Sequence, residues 1–199
     1  MRLTLLATFA CALAAGCGSP STSSVPAQPT SPASSHATTS APTGSPSLDL
    51  HGAVLDLPAA WSAQKPSSSM RIAEATVPGP GGDATLAVFF FGAGGGGGTE
   101  ANLQRWLGQI EPTGEPQRGS FEANGFKITW LDASGTLKPS GMGMGPSEAQ
   151  PDSRLMAAVI EGAGGPWFVK LTGPATTLDP AHDAFFEMLH SVHSGIPSS

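Results

Sequence analysis

The chain has 199 residues, with fifteen Asp and Glu against nine Lys and Arg, a net charge of −6, abundant Gly (26) and Pro (19), and no Tyr. No block of Lys or Arg occurs, so the cationic footprint that displaces counterions from nucleic acid is missing, and electrostatic attraction to anionic lipid headgroups is equally unsupported. The only two cysteines, Cys11 and Cys17, lie at the extreme N-terminus, which excludes a disulfide framework for the rest of the chain.

Met1-Arg2 leads an apolar run from Leu3 to Ala15 that stops at Gly16-Cys17-Gly18. The run is about thirteen residues, against the ~20 that a membrane-spanning helix needs, so residues 1–16 read as the core of a signal peptide. Leu13-Ala14-Ala15-Gly16-Cys17 resembles the bacterial lipobox; an ordinary secretory signal cut near Ala15 is the alternative. The lipobox resemblance implies cleavage before Cys17, a thioether-linked diacylglycerol on its sulfur, and an extracytoplasmic protein held at the membrane by acyl chains. Gly18 in place of Asp slightly favours sorting to the outer membrane. Cleavage would also remove Cys11, leaving a mature chain with no disulfide.

From Gly18 to Ser47 there is no charged residue, and Val25 is the only large aliphatic one. Such a Ser/Thr/Pro/Ala-rich segment has no core to bury, so residues 17–47 read as a disordered tether with a coil-like reach of roughly 30 Å. The remaining chain carries eight basic against fifteen acidic residues. Its length of about 150 residues suffices to bury about 70% of the unfolded surface.

Leu48 to Leu57 read as a strand ended by Pro58, with Trp61 behind it to plug one end of the core. Met70 to Val77 and Ala84 to Phe91 predict a hairpin around Pro78-Gly79-Pro80-Gly81-Gly82-Asp83. Its second member is nearly continuously apolar, as a central strand covered on both faces should be. Beyond the glycine run, Leu103, Trp106, Leu107 and Ile110 recur at helical spacing, which predicts a helix opened by Thr99 as N-cap with Glu100 in its first turn. Phe121 to Leu131, Arg154 to Glu161 and Trp167 to Thr172 predict three more strands, the last two joined by a turn at Gly162-Ala163-Gly164-Gly165-Pro166. Asp179-Pro180 should open a closing helix, the carboxylate as N-cap and the proline at the first helical position. Its apolar face would be Ala181, Phe185, Met188, Leu189 and Val192, and Gly195 with Pro197 would end it. The expectation is one α+β domain over residues 48–195, a twisted, mostly antiparallel sheet of about six strands with two packed helices, followed by a disordered tail at 196–199.

This order of elements, with an opening strand that ends in Leu57-Pro58-Ala59-Ala60-Trp61, resembles the sandwich fold of the photosystem subunit PsbP and its bacterial lipoprotein relatives. Known members of that fold act mainly as docking or assembly subunits, so the resemblance implies binding rather than catalysis. More locally, Phe91-Gly92, the glycine run, Thr99 to Leu103, Arg105-Trp106-Leu107, Gln109 and Phe168 to Pro174 are similar to a group of uncharacterised bacterial extracytoplasmic proteins.

Four constellations bear on chemistry. Gly92-Ala93-Gly94-Gly95-Gly96-Gly97 satisfies G-x-G-x-x-G between a strand and a helix, the context of a phosphate loop. No Lys-Ser/Thr follows and Glu100 repels phosphate, so the run reads first as a connector and second as a small-anion site using Gly94, Gly96, Asn102 and Arg105. Lys170 is the one charge inside a strongly apolar run: it reads first as a surface or edge lysine, and second, if buried with a lowered pKa, as serving an anion site with Arg105. Asp183, Glu187 and His190, with His182 and His193 nearby, would suit a divalent metal, but at i, i+4, i+7 they read more simply as the solvated side of an amphipathic helix. Met142 and Met144 would suit cuprous ion, or simply belong to a loop. No G-x-S-x-G elbow and no mature thiol are present, and His51 has no identifiable partner. No cofactor is expected. The leading expectation is a non-enzymatic, lipid-anchored binding or assembly module whose partner is a protein or envelope component. The second is a small-anion or small-ligand binder, or a hydrolase, using the glycine-rich loop with Arg105 and Lys170.

Overall fold

The computed structural model describes residues 46–140 and 146–195. Cys17, the signal and tether segments up to residue 45, Met142, Met144 and the tail 196–199 lie outside the described residues.

The expected first strand is a hairpin, β1 (Ser47–Asp49) and β2 (Ala53–Asp56), in the register Leu48↔Leu55. His51 and Gly52 break it, both at positive φ (60° and 123°), and Asp49 Oδ1 accepts a hydrogen bond from the His51 amide at 2.8 Å. Two successive left-handed residues, the second a glycine, make the tight turn that suits a two-residue hairpin. A short strand near the C-terminus, β11 (His193–Ser194), pairs with β2 to complete a three-stranded sheet.

The second sheet has eight strands rather than about six. Its path begins with β3 (Ser62–Gln64), β4 (Arg71–Val77), β5 (Ala84–Phe90) and β10 (Trp167–Pro174). It continues through β9 (Gln150–Glu161), β8 (Phe126–Leu137) and β6 (Ile110–Pro112), with β7 (Gln117–Ala123) also on β8, and every pairing is antiparallel. The predicted strand over Phe121 to Leu131 is two strands, because Asn124 and Gly125 both take positive φ and turn the chain between β7 and β8. Asn-Gly is the strongest short hairpin signal there is, and here it cuts through a run whose apolar residues alternate on both sides of it. β3 and β6 have three residues each and no usable periodicity.

Among the described residues there are three helices instead of two: α1 (Thr99–Leu107), α2 (Ala175–Leu178) and α3 (His182–His190). Thr99 is the first helical residue of α1, and Gly98 stands as its N-cap without a side-chain cap. Asp179 closes α2 instead of opening α3, whose N-cap is Ala181. The Asp179 carboxylate accepts instead from Arg154 Nη1 at 2.9 Å, and a fixed cation on the sheet is a stronger partner than the backbone amides of a helix end.

Alternation along β10 shows how the layers are made. Trp167, Val169 and Leu171 enter one core with Leu50, Leu55 and Leu57 from the small-sheet region and Phe185, Met188 and Leu189 from α3. Phe168 enters the other with Phe89, Leu155 and Val159 of the sheet and Leu103 and Trp106 of α1. The large sheet thus carries a core on each face, in keeping with the continuous apolar run of β5. Trp167 Nε1 donates to Leu50 O at 2.6 Å and ties the two sheets together. Every residue of both cores lies between Leu48 and Val192.

Candidate functional site

α1 covers the Phe168 end of its sheet face and leaves the Thr172 end open. Lys170, between them on β10, stands opposite Ala87 of β5 and Ala157 of β9. Two alanines beside a lysine leave room for its aliphatic stem to lie down on the sheet. The open end forms a cavity of about 490 Å³ whose polar lining includes Arg71, Glu74, Asp83, Thr85 and Thr172. A smaller cleft of about 140 Å³ opens against α1 between Met70, Phe89, Phe91, Trp106 and Phe168, with Arg105 and Gln109. Lys170 lines both.

The lysine is neither at the surface nor at an edge, as first expected: β10 lies between β5 and β9, and Lys170 is only 7% exposed. Its Nζ donates to Gln109 Oε1 at 3.1 Å. Burial first, and then the positive fields of Arg71 and Arg105, push its ammonium down from 10.5 to about 8.

Arg71 and Glu74 form an ion pair at 3.0 Å with both side chains largely buried. Three residues apart on a regular strand they would point to opposite faces, but the register shifts between Arg71 and Ala73, and that bulge puts them on one side. Burial by itself would raise the Glu74 carboxyl; hydrogen bonds from the Ser67 amide and from Arg71 outweigh it and hold the group below its ordinary value.

Asn102 is 2% exposed and its amide is fully used. Nδ2 donates to Gly96 O (2.9 Å) and Gly98 O (3.0 Å), while Oδ1 accepts from Arg105 Nη2. Asn102 thereby clamps the glycine loop and positions the arginine beside the cleft. Gly94 and Gly96 line neither cavity. Gly96 serves packing: at φ +81° a Cβ there would lie 2.4 Å from the Phe168 ring. The structure therefore brings Arg105 and Lys170 to one cleft, places Asn102 behind Arg105, and keeps the two glycines in a supporting loop.

Three polar side chains of α3, His182, Asp183 and His190, make local contacts. His190 stacks on Phe121 with ring centroids 4.0 Å apart, and His182 Nδ1 lies 2.9 Å from Asp183 Oδ1. Among the described residues no three His, Cys, Asp or Glu side chains group as metal ligands, and no helix is long and apolar enough to cross a membrane. His51 belongs to the β1–β2 turn, not to a strand.

Sequence reasoning missed Arg71 and Glu74, because nothing in the run Arg71-Ile72-Ala73-Glu74 announces a bulge. It also missed a buried ion pair on the opposite face, where Arg154 grips Asp132 through Nε to Oδ1 (2.8 Å) and Nη2 to Oδ2 (2.6 Å). Hydrogen bonding to Asp132, stronger than the burial that opposes it, raises the Arg154 pKa.

No protein-family model matches the chain, and no curated protein matches it. Among solved structures, the crystal structure of PA94, a protein of unknown function from Pseudomonas aeruginosa, aligns with 78% of this chain and 99% of its own at 18% identity and a TM-score of 0.40.

Proposed function

We propose that the chain is a non-enzymatic, lipid-anchored extracytoplasmic binding module, its domain a PsbP-like sandwich that takes a small anionic ligand on the open sheet face around Lys170. The observation that carries this reading is the burial of Lys170 where two concavities meet, with Arg71 and Arg105 close enough to perturb it. An anion at that point would meet a cation held in a low-dielectric setting, where charge attraction is stronger than in water. This supports the small-ligand reading over a broad protein or envelope partner, which would call for an extended contact surface rather than a buried cation. No step of hydrolysis is assigned.

Anchoring rests on the lipobox-like Leu13 to Cys17, and the cell envelope, with the outer membrane slightly favoured, is the place it implies. Two measurements test the proposal. Palmitate should label the protein in cells and fail to label Cys17→Ala; an unlabelled wild type contradicts the anchor. Amide chemical shifts of residues 17–199 should respond to small anions in a patch over β5, β10 and the end of α1, and the patch should vanish in Lys170→Met. Shifts scattered over the whole surface contradict the site.

A further inference from the structure

The smaller cleft narrows the class of ligand. Its walls are Met70, Phe89, Phe91, Trp106 and Phe168, its exposed surface is almost wholly apolar, and Arg105, Lys170 and Gln109 stand at its border, with no Asp or Glu among the lining residues. On a chain of net charge −6, an apolar cleft lined by two cations and no carboxylate is a local reversal of sign. Met70 and Phe91, 44% and 48% exposed, are the large hydrophobic side chains left most open among the described residues, and both stand at this one cleft. Apolar and aromatic side chains lining a concavity with a few polar groups at its border are the usual make-up of a small-molecule site. The walls are aromatic and already in angled contact, Phe91 with Phe168 at 5.8 Å between ring centroids and Trp106 edge-on to Phe168 at 6.3 Å. A further ring could join them edge-to-face.

Size and charge then select. At about 140 Å³ the cleft is close to the ~150 Å³ that accommodates benzene in an apolar protein cavity. A phosphate dianion, strongly hydrated, gains nothing from aromatic walls and loses solvation beside them. A carboxylate on one apolar ring or an alkyl group of like size matches both parts.

We propose that this cleft binds a small amphiphilic monocarboxylate, its single ring or short alkyl group seated between Met70, Phe91, Trp106 and Phe168 and its carboxylate held by Lys170 and Arg105. The assignment rests on the reading of the Lys170 face as a binding site and adds the ligand's chemistry to it. Phe91 and Met70 close over the apolar group, and Asn102 keeps the arginine in place.

The test is titration of residues 17–199, which hold both cores entire, with benzoate, hexanoate, benzyl alcohol and inorganic phosphate, read by amide chemical shifts. Benzoate or hexanoate should saturate a patch at residues 89–91, 105–109 and 168–170. Benzyl alcohol, which lacks the charge, should bind at least tenfold more weakly. Arg105→Gln and Phe91→Ser, both at exposed positions, should each weaken benzoate at least threefold with the spectrum otherwise folded, and Lys170→Met at least tenfold. Saturation of the patch by phosphate with no response to either carboxylate overturns the ligand class and leaves the binding-site reading standing. No response to any of the probes overturns both.

Discussion

Lys170 of β10 and Gln109, just beyond the end of α1, are joined by a hydrogen bond from Nζ to Oε1 of 3.1 Å. The lysine thus spans from the sheet to the helix that half covers it, and its charge is carried into the seam between two concavities. Its strand neighbours on either side are alanines, and burial together with the fields of Arg71 and Arg105 disfavours its charged form.

Stability should therefore rise with pH above neutrality. The folded ammonium loses its proton near 8 and the unfolded one near 10.5, so between those values the unfolded chain binds more protons and deprotonation favours folding. Below 8 the cost of the buried charge is felt in full. The rise across the window should be on the order of 3 kcal/mol. The chain has no Tyr to titrate there. Urea midpoints from pH 7 to 10.5 should climb for the wild type and stay level for Lys170→Met, which should also be the more stable protein at pH 7. An equal climb in both assigns the effect elsewhere.

The Asp132–Arg154 pair should behave oppositely. Asp132 is 5% exposed and receives two hydrogen bonds from the guanidinium. Arg154→Met strands that carboxylate and should cost about 3–5 kcal/mol in urea unfolding, whereas Arg154→Met with Asp132→Leu should recover most of the loss. A double variant no better than the single one would show that the pair itself, not the stranded charge, carries the stability.

Two glycines of one loop separate backbone strain from packing. At Gly94, φ +72°, a Cβ meets nothing within 4 Å, so Gly94→Ala should cost only the left-handed penalty, about 1–2 kcal/mol. Gly96→Ala adds the collision with Phe168 and should cost a further ~1–3 kcal/mol. Equal losses would mean that the loop moves freely off the Phe168 ring.

Much of this architecture could be read in advance from periodicity. The apolar run of Ala84 to Phe90 and the helical spacing of Leu103, Trp106 and Leu107 report burial, whereas Ile110, the fourth residue of that spacing, is buried from β6 and not from the helix. Turns inside a run were harder: His51-Gly52 and Asn124-Gly125 each divide a stretch whose hydrophobic alternation continues on both sides. Asp179 departs from its local cap preference because the arginine that takes its carboxylate lies 25 residues away in the chain. At the site, Lys170 stood out as a charge in an apolar strand, and Arg105 came with it. Arg71 and Glu74 did not, since only the bulge between Arg71 and Ala73 brings them onto the lysine's face.

Asn102→Asp keeps the shape of a buried side chain and removes both donors, so a carboxylate would face the Gly96 and Gly98 carbonyls. The loss should be about 1–3 kcal/mol or more, and amide exchange should quicken in the glycine loop before the sheet. Unchanged exchange in residues 92–98 would show that the clamp is dispensable.

The chain has four lysines, Lys65, Lys127, Lys138 and Lys170, few enough to follow one by one. Lysine side-chain ¹³Cε shifts recorded against pH, with and without saturating benzoate, address the buried cation directly. One resonance, missing from Lys170→Met, should titrate near 8 and move upward when the carboxylate is bound, because an anion favours the ammonium. Four resonances that all titrate near 10.5, indifferent to benzoate, would contradict a buried lysine that takes part in binding a carboxylate.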